Sequence, residues 1–185
     1  SRGSSATRVN QQGLIETVQA NDARVDYKDN ANGALKLEPQ RSNLITYSES
    51  FSDSIWIKNN VNLTSGFISP DGTDNADFLR EEATLAYGNI RFLYEDISTT
   101  ANVPYTFSMF LKKNGTRYIS MNLSTTSYSG GCTANFDFDN PTSVVSLTYG
   151  TGATLGNASF VSYGNDWYRV FLTVTFSAAT TLRTQ

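Results

Sequence analysis

The sequence predicts an all-β protein, an antiparallel sandwich of the jelly-roll or related barrel type. Three observations carry this expectation. About ten short stretches alternate apolar and polar residues, with turn residues roughly every 8–12 positions. Charged residues make up 17% of the 185-residue chain while aromatics reach 12%, against the ~25% charge typical of soluble domains. Helical spacing is confined to a turn at 48–57 and a short piece at Glu81 to Ala86.

Residues 1–33 read as an extended arm or linker to a neighbouring domain or subunit, and 34–185 as the sandwich module. Ser1 to Thr7 is small and polar, as linkers are. Arg8-Val9-Asn10 and Gly13 to Val18 read as two short strands around a turn. Ala23 to Tyr27 is a further extended piece, and Asp29 to Gly33 is a turn cluster. With few large apolar residues the arm cannot build a core of its own. It is expected to lie against a neighbour or along the sandwich edge.

The module opens with Leu35 and Leu37 alternating with Lys36 and Glu38 until Pro39 stops the ladder. Asn43 to Tyr47 is a second short apolar run. Ser48 and Ser50 break it, and Phe51, Ile55 and Trp56 follow at turn spacing. Val61 to Thr64 and Ala76 to Arg80 are short strands around a loop at Ser69 to Asn75. In Gly88 to Ile97, Ile90, Phe92 and Tyr94 share one face, with Arg91, Leu93 and Glu95 on the other. Pro104 to Lys113 aligns Phe107, Met109 and Leu111, and Asn114-Gly115 marks a hairpin. Arg117 to Thr126 turns Ile119, Met121 and Leu123 inward. Gly130-Gly131 is read as a turn into Cys132 to Phe138, with Ala134, Phe136 and Phe138 on one side. Val144 to Tyr149 and Ala158 to Tyr163 flank a Gly-rich loop at 150–156. Trp167 to Ser177 closes the set with Val170, Leu172, Val174 and Phe176 in register. Thr181 to Gln185 stops within a strand-like run, so the chain is expected to continue in a longer protein.

Composition narrows the function classes. The net charge is −3 with no basic stripe, which argues against a nucleic-acid partner, because phosphate contacts need clustered Lys and Arg. There is no histidine, which removes Ser-His-Asp triads and imidazole metal ligands together. Cys132 is the single cysteine, so neither an intrachain disulfide nor a cysteine-based zinc cluster can form. No run approaches the ~20 apolar residues of a membrane span, and the first residues lack a signal-peptide core. No membrane insertion is expected.

Three kinds of chemistry have residues in the sequence that could serve them, each with a plainer explanation beside it. Glu81-Glu82, Glu95-Asp96 and Asp137 with Asp139 are the local clusters of acids to test as a glycosidase pair. A solvated sheet face explains Asp137 and Asp139 better, and no catalytic residue is expected. Asp71, Asp74, Asn75 and Asp77 supply hard oxygens in one loop, a set suited to calcium. Asp71-Gly72 also explains itself as a turn, and that reading outweighs the metal site at Asp71, Asp74 and Asp77. Sugar binding asks for an aromatic ring to stack on a pyranose and planar polar groups to bridge hydroxyls. Arg91, Tyr118, Asn122, Asn135 and Asp137 lie at non-core positions and are the candidates. Tyr87, Tyr128 and Tyr149 stand near strand ends. Trp56 and Trp167 adjoin apolar runs and read as core. The ten tyrosines with Ser, Asn and Gly make an adaptable surface, equally suited to a protein interface.

The run LEPQRSNLITYSESFSDSIWIKNNVNLTS, followed by ISPDGTDNADFL, resembles carbohydrate-binding-module-like jelly-roll domains of tailed-bacteriophage structural proteins. The resemblance extends over about residues 6–177 and is strongest at 37–58 and 69–79; a lead-in like TRVN…GLIETV also precedes the module in that group. It implies a concanavalin A-like or galactose-binding-like sandwich, a core role for Trp56, frequently a structural calcium, and a further edge strand beyond the present end. It also implies a virion protein of a fibre, tail or capsid appendage, assembled in the host cytoplasm. Its partners would be other virion proteins and host-surface carbohydrate, in a homo-oligomer. The expected function is therefore non-enzymatic glycan binding or docking within a virion. The alternatives are a purely architectural decoration domain and an accessory module of a glycan-degrading enzyme.

Overall fold

A computed structural model of the chain describes residues 5–36, 42–82 and 90–185. Over these residues the protein is all-β, with no helix. The strands are β1 (Ala6–Val9), β2 (Ile15–Val18), β3 (Val25–Asp26), β4 (Ala34–Leu35), β5 (Ile57–Asn59), β6 (Val61–Phe67), β7 (Ala76–Glu81) and β8 (Phe92–Ser98). They continue with β9 (Pro104–Lys112), β10 (Tyr118–Thr125), β11 (Gly130–Asp137), β12 (Val144–Gly150), β13 (Ala153–Gly164), β14 (Trp167–Phe176) and β15 (Thr181–Thr184). The chain divides into two compact units, Ser1–Glu49 with Thr64–Phe78, and Ser50–Leu63 with Leu79–Gln185. The division falls within the β6–β7 hairpin.

The first unit is held by polar contacts around a small apolar set. β1 and β2 form an antiparallel hairpin. Its turn is set by Asn10, whose side-chain oxygen accepts from the backbone N–H of Gln12 and Leu14, each at 3.0 Å; that local bond is why Asn favours turns. Arg8 and Glu16 pair across the hairpin at 2.6 Å. Asp26 is buried and ties β3 to β1, accepting from Val9 N at 3.2 Å and Lys28 N at 2.9 Å. Ile15 N donates to Pro70 O at 3.3 Å, joining the hairpin to the 69–73 turn. Val9 and Val18 are the buried apolar residues here.

The second unit holds two sheets. One is six-stranded, in the order β12-β11-β10-β15-β8-β5, and the other three-stranded, β13-β14-β9. All described pairings are antiparallel. The sheets meet through Phe136 of β11 and Phe138 just after it, which pack edge-on against Phe160 of β13, and Phe138 does so against Tyr168 of β14. This is a sandwich core. Phe107, Met121, Leu123, Ala134, Phe136, Phe138, Val170, Leu172, Val174 and Phe176 are buried as their alternation predicts, joined by Leu182 of β15. Each such side chain contributes about 1.5–3 kcal/mol on burial.

Trp56 is buried against Phe51, with ring centroids 5.1 Å apart. The 48–57 segment is a pair of turns rather than helix. Asp53 accepts from Ile55 N at 2.9 Å, and Lys58 Nζ donates to the carbonyls of Ser52, Asp53 and Trp56 at 2.7–3.2 Å. Asn43 to Tyr47 forms no strand. The strand expected past Leu35 runs beyond Lys36 into residues outside those described, as does most of the 81–86 piece.

Two glycine readings are corrected. Gly130 and Gly131 lie inside β11, and the supposed loop at 150–156 shrinks to a tight turn at 151–152 between β12 and β13. Gly150 has φ +65° and an added Cβ would meet Ser129 O at 2.0 Å, so the glycine serves close strand approach. Gly156 sits at a bulge between Leu155 and Asn157, where β13 slips one residue against β14. In β8 the face bearing Phe92 and Tyr94 turns outward, because Ile97 must stand opposite buried Leu182, and this carries Glu95 inward opposite Thr184.

Candidate functional site

Strand parity places Tyr118, Ser120 and Asn122 of β10 opposite Asp137, Asn135 and Thr133 of β11. On β12, Val145, Leu147 and Tyr149 follow opposite Asn135, Thr133 and Gly131. Leu123 and Phe136 point into the core, so these residues form the outer face of the six-stranded sheet.

The polar groups of this face are mutually ordered. Ser120 donates to Asn135 Oδ1 at 2.5 Å. Asn122 Nδ2 donates to Thr133 Oγ1 at 2.9 Å and to the Tyr149 hydroxyl at 3.1 Å. Arg117 grips Asp137 with two parallel bonds, Nε to Oδ1 at 2.9 Å and Nη2 to Oδ2 at 2.8 Å. Its guanidinium also lies 4.8 Å from the centre of the Tyr118 ring, which is 58% exposed. The Arg117 bond holds the Asp137 carboxyl at about 2, below its ordinary 3.8. Such a carboxylate has no proton to donate near neutrality.

Four sequence candidates, Tyr118, Asn122, Asn135 and Asp137, therefore share one surface. Arg91 does not join them. It precedes β8, two strands away from β10, and its Nε lies 3.2 Å from Glu81. Tyr87 lies outside the described residues. Trp167 is half-buried at the start of β14.

A second polar group on the same face joins residues far apart in sequence. Arg183 of β15 makes paired bonds to Asp96 of β8 at 2.9 and 3.0 Å. It stacks 3.9 Å from the Tyr94 ring and 5.5 Å from the Tyr128 ring, and donates to the Tyr128 hydroxyl at 3.3 Å. Tyr128 carries φ +56° in the β10–β11 turn, a strained conformation for a bulky residue. Tyr94 and Tyr128 are visible in the sequence only as separate positions, and no local pattern pairs Arg183 with Asp96 across 87 positions.

In the 69–77 loop, Asp71 Oδ1 accepts from the Ser69 hydroxyl and from Thr73 N and Oγ1 at 2.9 and 2.7 Å. Burial raises the Asp71 pKa, but these donors outweigh it and leave the group below its ordinary value. Asp77 takes the Ser65 hydroxyl at 2.5 Å. Among the described residues no three Asp, Glu, His or Cys side chains are grouped to hold a metal. Asp71 and Asp74 lie in the loop and Asp77 at the start of β7, and the three are not grouped into one cluster.

No protein-family model matches the chain, and no curated protein matches it at a significant level.

Proposed function

We propose that the protein is a non-enzymatic structural component of a tailed-phage virion whose sandwich binds host-surface carbohydrate through the outer face around Tyr118. The virion setting rests on the resemblance at 37–58 and 69–79. The glycan reading rests on one observation: an exposed Tyr118 ring on the same sheet face as Asn122, Asn135 and Asp137, whose planar polar groups are held in place by Arg117, Ser120 and Thr133. A stacked ring with ordered amides is the chemistry that sugars require, and pre-ordering lowers the entropy cost of binding. Repetition of the module on a virion would multiply weak single-site affinity.

The test is a glycan array probed with the isolated chain, with and without calcium. Binding is expected, with at least about a tenfold loss in Tyr118→Ala, the equivalent of ~1.4 kcal/mol. Asn122→Ala should weaken it as well. Calcium dependence would bring the Asp71–Asp77 loop into the mechanism. A blank array from folded protein would sink the glycan reading in favour of an architectural domain that docks to other virion proteins.

A further inference from the structure

The two ends of the six-stranded sheet are built differently. β12 ends that sheet, with β11 as its partner among the described residues. Other sheet ends are blunted. β5 is three residues long, β9 starts at Pro104 and ends at Lys112, and β13 is broken by two bulges. Short length, proline, lysine and bulges are the devices that keep edges from pairing. β12, Val-Val-Ser-Leu-Thr-Tyr-Gly, has none of them. It lies in a 26-residue run without a charged residue, Asn140 to Asn165. Val145 and Leu147 are 65% and 61% exposed on it.

The hydrogen-bond phase says which groups are free. Thr151 N donates to Ser129 O at 3.3 Å, continuing the ladder in which Gly131↔Tyr149, Thr133↔Leu147 and Asn135↔Val145 are partners. Bonded pairs recur at every second residue, so the odd-numbered residues of β12 bond to β11. The backbone N–H and C=O groups of Val144, Ser146 and Thr148 consequently point away from the sheet.

We propose that β12 is a homodimerisation strand, pairing antiparallel with β12 of a second copy about a two-fold axis at Ser146. The strand is complementary to itself in this register. Val144 stands opposite Thr148 of the other copy, and Ser146 opposite its counterpart, so all three outward-pointing residues meet as bonded pairs, giving about six new backbone hydrogen bonds. On the outer face each Val145 meets the Leu147 of the other copy, and four exposed apolar side chains cover one another. No charge opposes a like charge across the axis. The two outer faces lie on the same side of one continuous sheet, so both Tyr118 surfaces face the same way. A strand pair buries less than the ~1,200–2,000 Å² of a standard interface. The dimer is therefore weak in solution, on the order of micromolar or above, and strengthens where copies are arrayed.

Hydrogen exchange of the 185-residue chain, read from about 1 µM to about 500 µM alongside sedimentation velocity, tests this. Val144, Ser146 and Thr148 amides should exchange at least about tenfold more slowly at the high concentration. Ser146→Pro removes an N–H that the ladder phase leaves unbonded to β11 among the described residues, a position where an edge strand accepts proline, and should abolish the dimer. Leu147→Lys provides a second disruption if the proline variant fails to fold. A monomer throughout the range would overturn the proposal, as would a dimer whose β12 amides exchange at concentration-independent rates. Tyr118→Ala should leave the dimer intact, so failure here and failure of glycan binding are separable.

Discussion

Glu95 and Asp137 lie in the same sheet and carry opposite electrostatic loads. Glu95 faces inward, its Oε2 finds no hydrogen-bond partner among the described residues, and burial raises its pKa above the ordinary 4.5. The folded chain therefore binds this proton more tightly than the unfolded chain. Its stability is greatest below the unfolded pKa and falls as pH rises through the folded one. Glu95→Gln removes the charge and keeps the shape. It should stabilise the protein by about 1–2 kcal/mol near pH 8 and by almost nothing near pH 4. Urea denaturation at both pH values checks this, and an equal effect at both would refute it. Asp137 runs the other way. Its pKa is lowered to about 2 by Arg117, so its contribution is complete above the unfolded pKa of 3.8 and is lost as pH falls toward 2. Arg117→Ala should return the Asp137 titration toward 3.8 in a carboxyl NMR experiment.

At the scale of elements, alternation made most of the sandwich legible. β10, β11 and β14 each bury one side, and most of the residues that period alone assigns to the core are buried, while Met109, Leu111 and Ile119 are only half-buried. Parity also explains why Tyr118, Asn122, Asn135 and Asp137 were found together, since odd and even positions of paired strands sort to opposite faces. Glycine was where the reading failed. A glycine that begins a turn and a glycine that lets two strands touch look the same in a sequence. Gly131 is the second kind, because a Cβ there would lie 2.7 Å from both Leu123 O and the Ser124 Cβ. Gly131→Ala is expected to cost about 1–3 kcal/mol through overpacking, measurable by chemical denaturation. A neutral result would show that β10 and β11 can separate locally. Arg91 lies apart from the other four candidates for a related reason: its place depends on where β8 begins relative to β10, a long-range matter that no local pattern encodes.

At the scale of the whole molecule, the late strand β15 lies in the interior of its sheet, between β10 and β8. Leu182 and Thr184 are almost fully buried, Thr184 donates to Glu95 O at 2.9 Å, and Arg183 joins Asp96. Four residues thus bridge two halves of a six-stranded sheet. A chain shortened to Ser177 should lose the cooperative unfolding of the second unit, because β8 and β10 would each present a bare edge to water. Circular dichroism melting tests it; a sharp transition in the shortened chain would mean that the halves close without β15.

The same arrangement sets a schedule during synthesis. Arg183 leaves the ribosome 87 residues after the Asp96 it will grip, a delay of about 4–17 s at typical elongation rates. Once β10 has been made, through Thr125, the nascent chain holds two strand edges that have no partner yet. Successful folding during synthesis thus depends on keeping β8 and β10 from pairing with each other, or with neighbouring nascent chains, until the strand destined to separate them has been made.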